Sequence, residues 1–186
     1  MNKNSFILVF AALIIGLAAN SFFIVNEKEQ AIVFQFGEAV KTDIPVGFQL
    51  KLPIIQEVKK YDSRIQTLDE DPDRILTVES KYLLVDSYLK YRISDVLTFY
   101  KANNGSFNSL NSLLAQRSEF VLKNNFGKRT VKELVSGERD ELMSIMLNVL
   151  NESVTDLGIE IIDFRVKKID LPANLSNSVY ERMRTE

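Results

Sequence analysis

The sequence contains no cysteine, no histidine and no tryptophan. Without cysteine there is no disulfide, no thiolate metal site and no thiol nucleophile. Without histidine there is no Ser-His-Asp triad and no imidazole to hold zinc. No glycine-rich phosphate loop occurs, and 7 glycines and 4 prolines are too few for a linker-like or low-complexity chain. Neither sign of charge is in excess: 23 Lys and Arg against 25 Asp and Glu leave −2. A nucleic-acid partner calls for a basic surplus that this chain lacks. These absences remove most catalytic apparatus and leave no catalytic, cofactor-binding or metal-binding residues to nominate.

What is present is gathered unevenly. The 186 residues suit one domain with an appendage. Lys3 is the last charge before Glu27, so Asn4 to Asn26 is uncharged. Phe6 to Val25 supplies the roughly 20 mostly apolar residues that a helix needs to cross a bilayer. A cleaved signal peptide is the competing reading, but cleavage after Ala19 puts Leu17 where a small residue is wanted. The flanking charges orient the span: the α-amine and Lys3 precede it, and Glu27-Lys28-Glu29 follows with a sum of −1. The expected organisation is a cytoplasmic stub at 1–4, a transmembrane anchor at 5–25, a folded domain at 26–172 and the start of a further helix at 173–186. In a bacterium with two membranes that is a single-pass inner-membrane protein with its N-terminus cytoplasmic and its bulk periplasmic.

The folded part reads as strands, then helices, then strand and helix again. Ala31 to Phe36 is a buried-type strand stopped by Gly37, and Pro45 to Phe48 is a turn. Phe48, Leu50 and Leu52 alternate with polar residues as a second strand. Leu52-Pro53-Ile54-Ile55 reads as core, with contact to lipid headgroups as the alternative. Further strands are expected at Val58 to Leu68, Arg74 to Val78 and Tyr82 to Ile93, the last with Leu83, Val85, Leu89, Tyr91 and Ile93 on one face. Ser94 is read as the cap of a short helix to Tyr100. Leu110, Leu113, Leu114, Val121 and Leu122 lie at helical spacing up to Gly127. Thr130 and Glu133 make a capping box, and Ser136 caps a helix whose stripe is Leu142, Ile145, Met146, Val149 and Leu150. After Gly158, a slip in the alternation between Ile161 and Ile162 predicts a β-bulge in the closing strand. Leu175, Val179 and Met183 give the last helix its spacing, and it has no closing cap signal before Glu186.

Candidate sites are few. Asp69, Asp71 and Asp73 begin like a calcium loop, but Arg74 and Ser80 stand where glycine and glutamate are required, so a solvated loop is expected. Asp62 and Arg64, two apart on one expected strand, share a face as an intersubunit contact or, more simply, a surface ion pair. Lys59-Lys60 and Lys167-Lys168 are too small to form a nucleic-acid patch. Ser80 and Lys81, adjacent on a strand, point apart and do not make a dyad.

The order of features and four local strings resemble one family. Tyr61-Asp-Ser-Arg64-Ile-Gln-Thr-Leu-Asp69, Leu84 to Asp95, and Leu157 to Pro172 with Val179 to Glu186 are similar to stretches of the SPFH group, which includes stomatin, prohibitin, flotillin and the HflK/HflC branch; the likeness is to that last branch. The resemblance implies an α+β fold: an N-terminal transmembrane helix, then an SPFH (prohibitin-like) domain with a mixed or antiparallel sheet packed by helices, ending at the start of a long coiled-coil helix. It implies a scaffold rather than an enzyme, with no cofactor. The implied partners are an HflK-like chain, an FtsH-like ATP-dependent membrane protease that the assembly regulates, and the lipid bilayer. The resemblance implies that the two chains build a cage around that protease, closed by a long helix and a cap segment that follow the SPFH domain, so closure stays open for the 186 residues given. The alternative within the resemblance is a stomatin-like organiser of membrane microdomains with no protease client.

Overall fold

A computed structural model describes residues 20–135 and 139–170. The longest alternating segment becomes the central strand, β8 (Tyr82–Ile93). Leu83, Val85, Ser87, Leu89, Tyr91 and Ile93 are buried on one face, the period-2 pattern of a half-covered strand. Both edges of β8 are paired. β9 (Ile159–Asp170) runs antiparallel along one edge, while β6 (Gln66–Asp69) and β7 (Asp73–Leu76) lie end to end along the other. The slip expected between Ile161 and Ile162 is a bulge opposite Lys90 and Tyr91. It lets Ile159 and Ile161, and then Phe164 and Val166, all face the core.

A second sheet has the order β3-β2-β5. Its strands are β2 (Glu29–Gln35), β3 (Glu38–Lys41) and β5 (Gln56–Asp62). The β2–β3 turn is only Phe36-Gly37, both at positive φ (51° and 89°), the conformation that two-residue hairpins require. A two-stranded ribbon pairs β1 (Phe22–Val25) with β4 (Gly47–Leu50). Every strand pairing among the described residues is antiparallel.

The helices cover the inner faces. α1 (Val96–Asn103) starts at Asp95, whose carboxylate accepts from Leu97 and Thr98 N–H, and ends at Asn104 in the left-handed region. α2 (Phe107–Phe126) is capped by Ser106. α3 (Val131–Val135) opens with the expected capping box, Thr130 N–H to Glu133 at 3.0 Å and Glu133 N–H to Thr130 at 3.4 Å. α4 (Arg139–Ser153) buries Leu142, Met146 and Leu150. A 3₁₀ turn at Thr155–Leu157 leads into β9. Phe99 is fully buried, its ring 5.3 Å from Tyr61 on β5 and 5.3 Å from Phe107 on α2, so α1 joins the two larger sheets.

The structure corrects several expectations. The helix expected to reach Val25 differs at its end, because Phe22–Val25 is β1; Phe6 to Ala19 lies outside the described residues. Among the described residues no helix is long and apolar enough to cross a membrane. Val58 to Leu68 is two strands in different sheets, broken where Asp62 accepts the Arg64 backbone N–H at 2.9 Å; short polar side chains divert the backbone this way. The cap of α1 is Asp95, not Ser94. Ile145 and Val149 are exposed rather than core, because only one side of α4 meets α2 and β9. Ser136 and the helix from residue 173 fall outside the described residues.

Two backbone positions give opposite predictions. Gly158 has φ +67°, and a Cβ there meets Asp95 O and, at 2.5 Å, the backbone nitrogen of Phe99. Gly158→Ala is expected to cost at least ~3 kcal/mol, read as a lower urea midpoint by circular dichroism. Ile54 has φ +76° and is 92% exposed, a costly conformation for a β-branched residue that packs against little. Ile54→Gly is expected to stabilise the fold by about 1 kcal/mol in the same assay.

Candidate interaction surface

The β1–β4 ribbon is apolar on the side that the described residues leave uncovered. Register places Phe22 opposite Leu50 and Ile24 opposite Phe48, so the four side chains share one face. All four are exposed, Phe48 by 78%. The ladder continues through Lys51 N–H to Ser21 O at 2.8 Å. The other face of the ribbon turns inward, with Val25 buried. Lys60 from β5 donates to Ile24 O at 2.6 Å and pairs with Glu29 at 3.3 Å.

The loop after β4 carries the same character. Leu52 and Ile55 are exposed beside Ile54. Phe36, 84% exposed at the β2–β3 turn, shares a shallow hollow with Ile54 and Ile55. A bulky apolar residue thus occupies a left-handed turn position ordinarily filled by asparagine or aspartate. Large apolar side chains collected on a ribbon and two adjacent turns mark a surface that something else covers. The reading of Leu52 to Ile55 as core is therefore overturned. The signal available in the sequence is composition: Phe22-Phe23-Ile24-Val25 is an aromatic and β-branched run of strand type, but it merges with the uncharged stretch before it.

The other nominated residues do not assemble into a site. Asp62 and Arg64 form an exposed ion pair within the chain, at 2.5 Å. The Arg64 guanidinium and backbone N–H donate to the Asp62 carboxyl and hold it at about 2. Asp69 is paired with Lys167 at 2.5 Å and Asp73 begins β7; no cluster able to hold a metal occurs among the described residues. Lys59 lies over the rings of Phe34 and Tyr100, 5.5 and 5.0 Å from their centres, while Lys60 points to the ribbon. Lys167 also reaches Asp86 at 2.8 Å, and Lys168 pairs with Asp170. Ser80 sits at φ +59° in a turn, and the Lys81 ammonium pairs with Glu79 at 2.8 Å. No nucleophile stands beside a base in any of these groups.

Comparison with known proteins gives the fold its relatives. Residues 23–186 match the SPFH domain / Band 7 family. A protein named HflC from Haemophilus influenzae is 39% identical over 191 residues, covering 97% of this chain and 65% of the relative. HflC from Buchnera aphidicola of Acyrthosiphon pisum is 37% identical over 208 residues, covering all of this chain and 66% of the relative. Escherichia coli K12 has a relative, 32% identical over 226 residues, whose name is modulator of FtsH protease HflC. The chain spans about two thirds of the length of these relatives. The match begins at the ribbon and runs through both sheets and their helices, so the chain belongs to the SPFH domain / Band 7 family, with its similarity to the HflC proteins within it.

Proposed function

We propose that this chain is a membrane-anchored scaffold that assembles with an HflK-like chain and regulates an FtsH-like membrane protease, with no catalysis of its own. The observation that carries the membrane part is the uncovered apolar ribbon, which follows directly on an uncharged N-terminal stretch. Ser5 to Ala19 is 15 residues, about 22 Å as a helix at ~1.5 Å per residue. That is short of a hydrocarbon core of about 30 Å. The Phe22, Ile24, Phe48, Leu50 and Ile54 side chains are placed to make up the difference by entering the interface. On this reading the stub at 1–4 is cytoplasmic, the domain after Val25 is periplasmic, and the segment from residue 173 leads into an assembly helix.

The protease part draws on the similarity to HflC proteins and the name of the E. coli relative. A scaffold acts by occupying space beside its client, and for that it needs a fixed address and lateral contacts.

Two measurements test the proposal. Extracted in mild detergent, the chain is expected to co-purify in a large particle with an HflK-like and an FtsH-like protein; isolation as a monomer with neither partner overturns it. A particle that holds lipid and copies of the chain but no protease favours the microdomain organiser instead. Separately, Phe48→Asp with Leu50→Asp is expected to leave the thermal midpoint nearly unchanged, since neither side chain is buried. With the anchor keeping the chain in phosphatidylethanolamine–phosphatidylglycerol vesicles, the same pair is expected to speed hydrogen exchange of amides 47–50 about tenfold; unchanged exchange removes the ribbon from the membrane contact.

A further inference from the structure

Where the loop between β6 and β7 meets the middle of α2, a carboxyl group and a hydroxyl face each other inside the protein. Glu70 is half-buried, and its backbone N–H donates to Ser87 O on β8 at 3.4 Å. Ser118 on α2 is fully buried. Its Oγ lies 2.9 Å from Ala115 O and makes a shorter contact with Glu70 Oε1.

Proton counting makes this contact informative. A serine hydroxyl has one proton to donate, and a backbone carbonyl only accepts. A serine inside a helix characteristically directs its proton back to the carbonyl one turn earlier, which here is Ala115 O. The contact between Ser118 Oγ and Glu70 Oε1 then needs a second proton. The Glu70 carboxyl is the one partner able to bring it.

The surroundings favour the protonated form. Asp69 from β6, Asp73 from β7 and Glu119 from α2 bear on the carboxyl directly; behind them stand Lys123 of α2, Lys167 of β9 and, through Lys167, Asp86 of β8. The two cations are committed elsewhere: Lys123 pairs with Glu119, and Lys167 with Asp69 and Asp86. Burial, reinforced by Asp73, Glu119 and Asp69 and opposed by the Ser118 hydrogen bond, pushes the Glu70 carboxyl up to about 7.

We propose that Glu70 and Ser118 form a proton-operated latch between the β6–β7 loop and α2. With its proton, Glu70 donates to Ser118 Oγ while Ser118 donates to Ala115 O, and both contacts are hydrogen bonds. On ionisation the proton leaves to solvent. The hydroxyl must then serve either the carboxylate or the helix carbonyl, and a new charge stands beside Asp73 and Glu119. The folded chain holds this proton above the ordinary carboxyl value of 4.5. Stability therefore falls as pH rises from there to about 7 and is level beyond. α2 carries exposed Phe120 close to the latch, so opening loosens a helix that presents an apolar side chain outward. The device does not depend on any reading of the membrane surface.

Hydrogen exchange on the full chain in detergent tests it. After correction for intrinsic rates, amides of 107–126 are expected to exchange about tenfold faster at pH 8 than at pH 5.5. Glu70→Gln, whose amide donates to Ser118 Oγ at every pH, is expected to exchange at one rate and to raise the melting temperature at pH 8 by about 5 °C. Equal protection of wild-type α2 at both pH values overturns the latch, as does a pH dependence retained in Glu70→Gln. Carbon-13 titration of the Glu70 carboxyl in the wild-type chain needs no variant: a midpoint near 7 supports the latch and one below 5 refutes it.

Discussion

The fold depends on one aromatic junction. Phe99 has no solvent exposure and lies edge-on to Tyr61, with Phe107 on its other side. Tyr61 belongs to the β3-β2-β5 sheet and Phe107 opens the helix that covers the sheet built on β8. Phe34 on β2 adds a second ring contact to the same helix, 4.5 Å from Tyr100. Backbone bonds hold α1 at the required angle: Ser94 and Asp95 N–H both donate to Gly158 O at 3.0 Å. The glycine is forced there, since its φ is positive and a side chain would strike the helix start. A short helix with eight residues has little stability of its own. Its cap, its rings and its seat on Gly158 make it a joint between two sheets.

Around that joint the sequence speaks unevenly, for physical reasons. β8 is readable residue by residue because one face is covered and the other is not, so burial and alternation coincide from Leu83 to Ile93. The capping box at Thr130 and the bulge after Ile161 are readable because each depends on residues within a few positions. What escapes is set by distant neighbours. Val58 to Leu68 has continuous strand chemistry, and the break at Asp62 comes from that side chain turning to the Arg64 backbone. On α4, Ile145 and Val149 have the spacing of core residues, but only as much of the helix is buried as α2 and β9 can reach. β3 is hidden because nothing in Glu38 to Lys41 alternates strongly.

The apolar ribbon was the least readable feature, and its misreading is instructive. Alternation in Phe48, Leu50 and Leu52 announces two unlike faces without saying which faces the protein. With three or more strands and a covering layer, the apolar face is the buried one. Here the ribbon has two strands and no layer of described residues above it, so the apolar face is outward. The same composition that marks a core elsewhere marks a surface here, and only topology distinguishes them.

A two-stranded ribbon is marginal in water, yet this one is held firmly on its inner side and left apolar outside. Val25 is buried, the Lys60 ammonium binds Ile24 O, and Ser21 accepts from Lys51. These bonds fix the ribbon's position without covering Phe22, Ile24, Phe48 or Leu50. At Ile54 and Phe36 the backbone even takes left-handed conformations that leave large apolar side chains pointing away from the domain. A chain selected only for stability in water would place small polar residues at both turns. Strain at two turns and an uncovered face on a well-fastened ribbon together describe a surface that the described residues do not stabilise. An apolar phase of the kind proposed for the uncharged stretch before Ser21 would supply the stabilising partner.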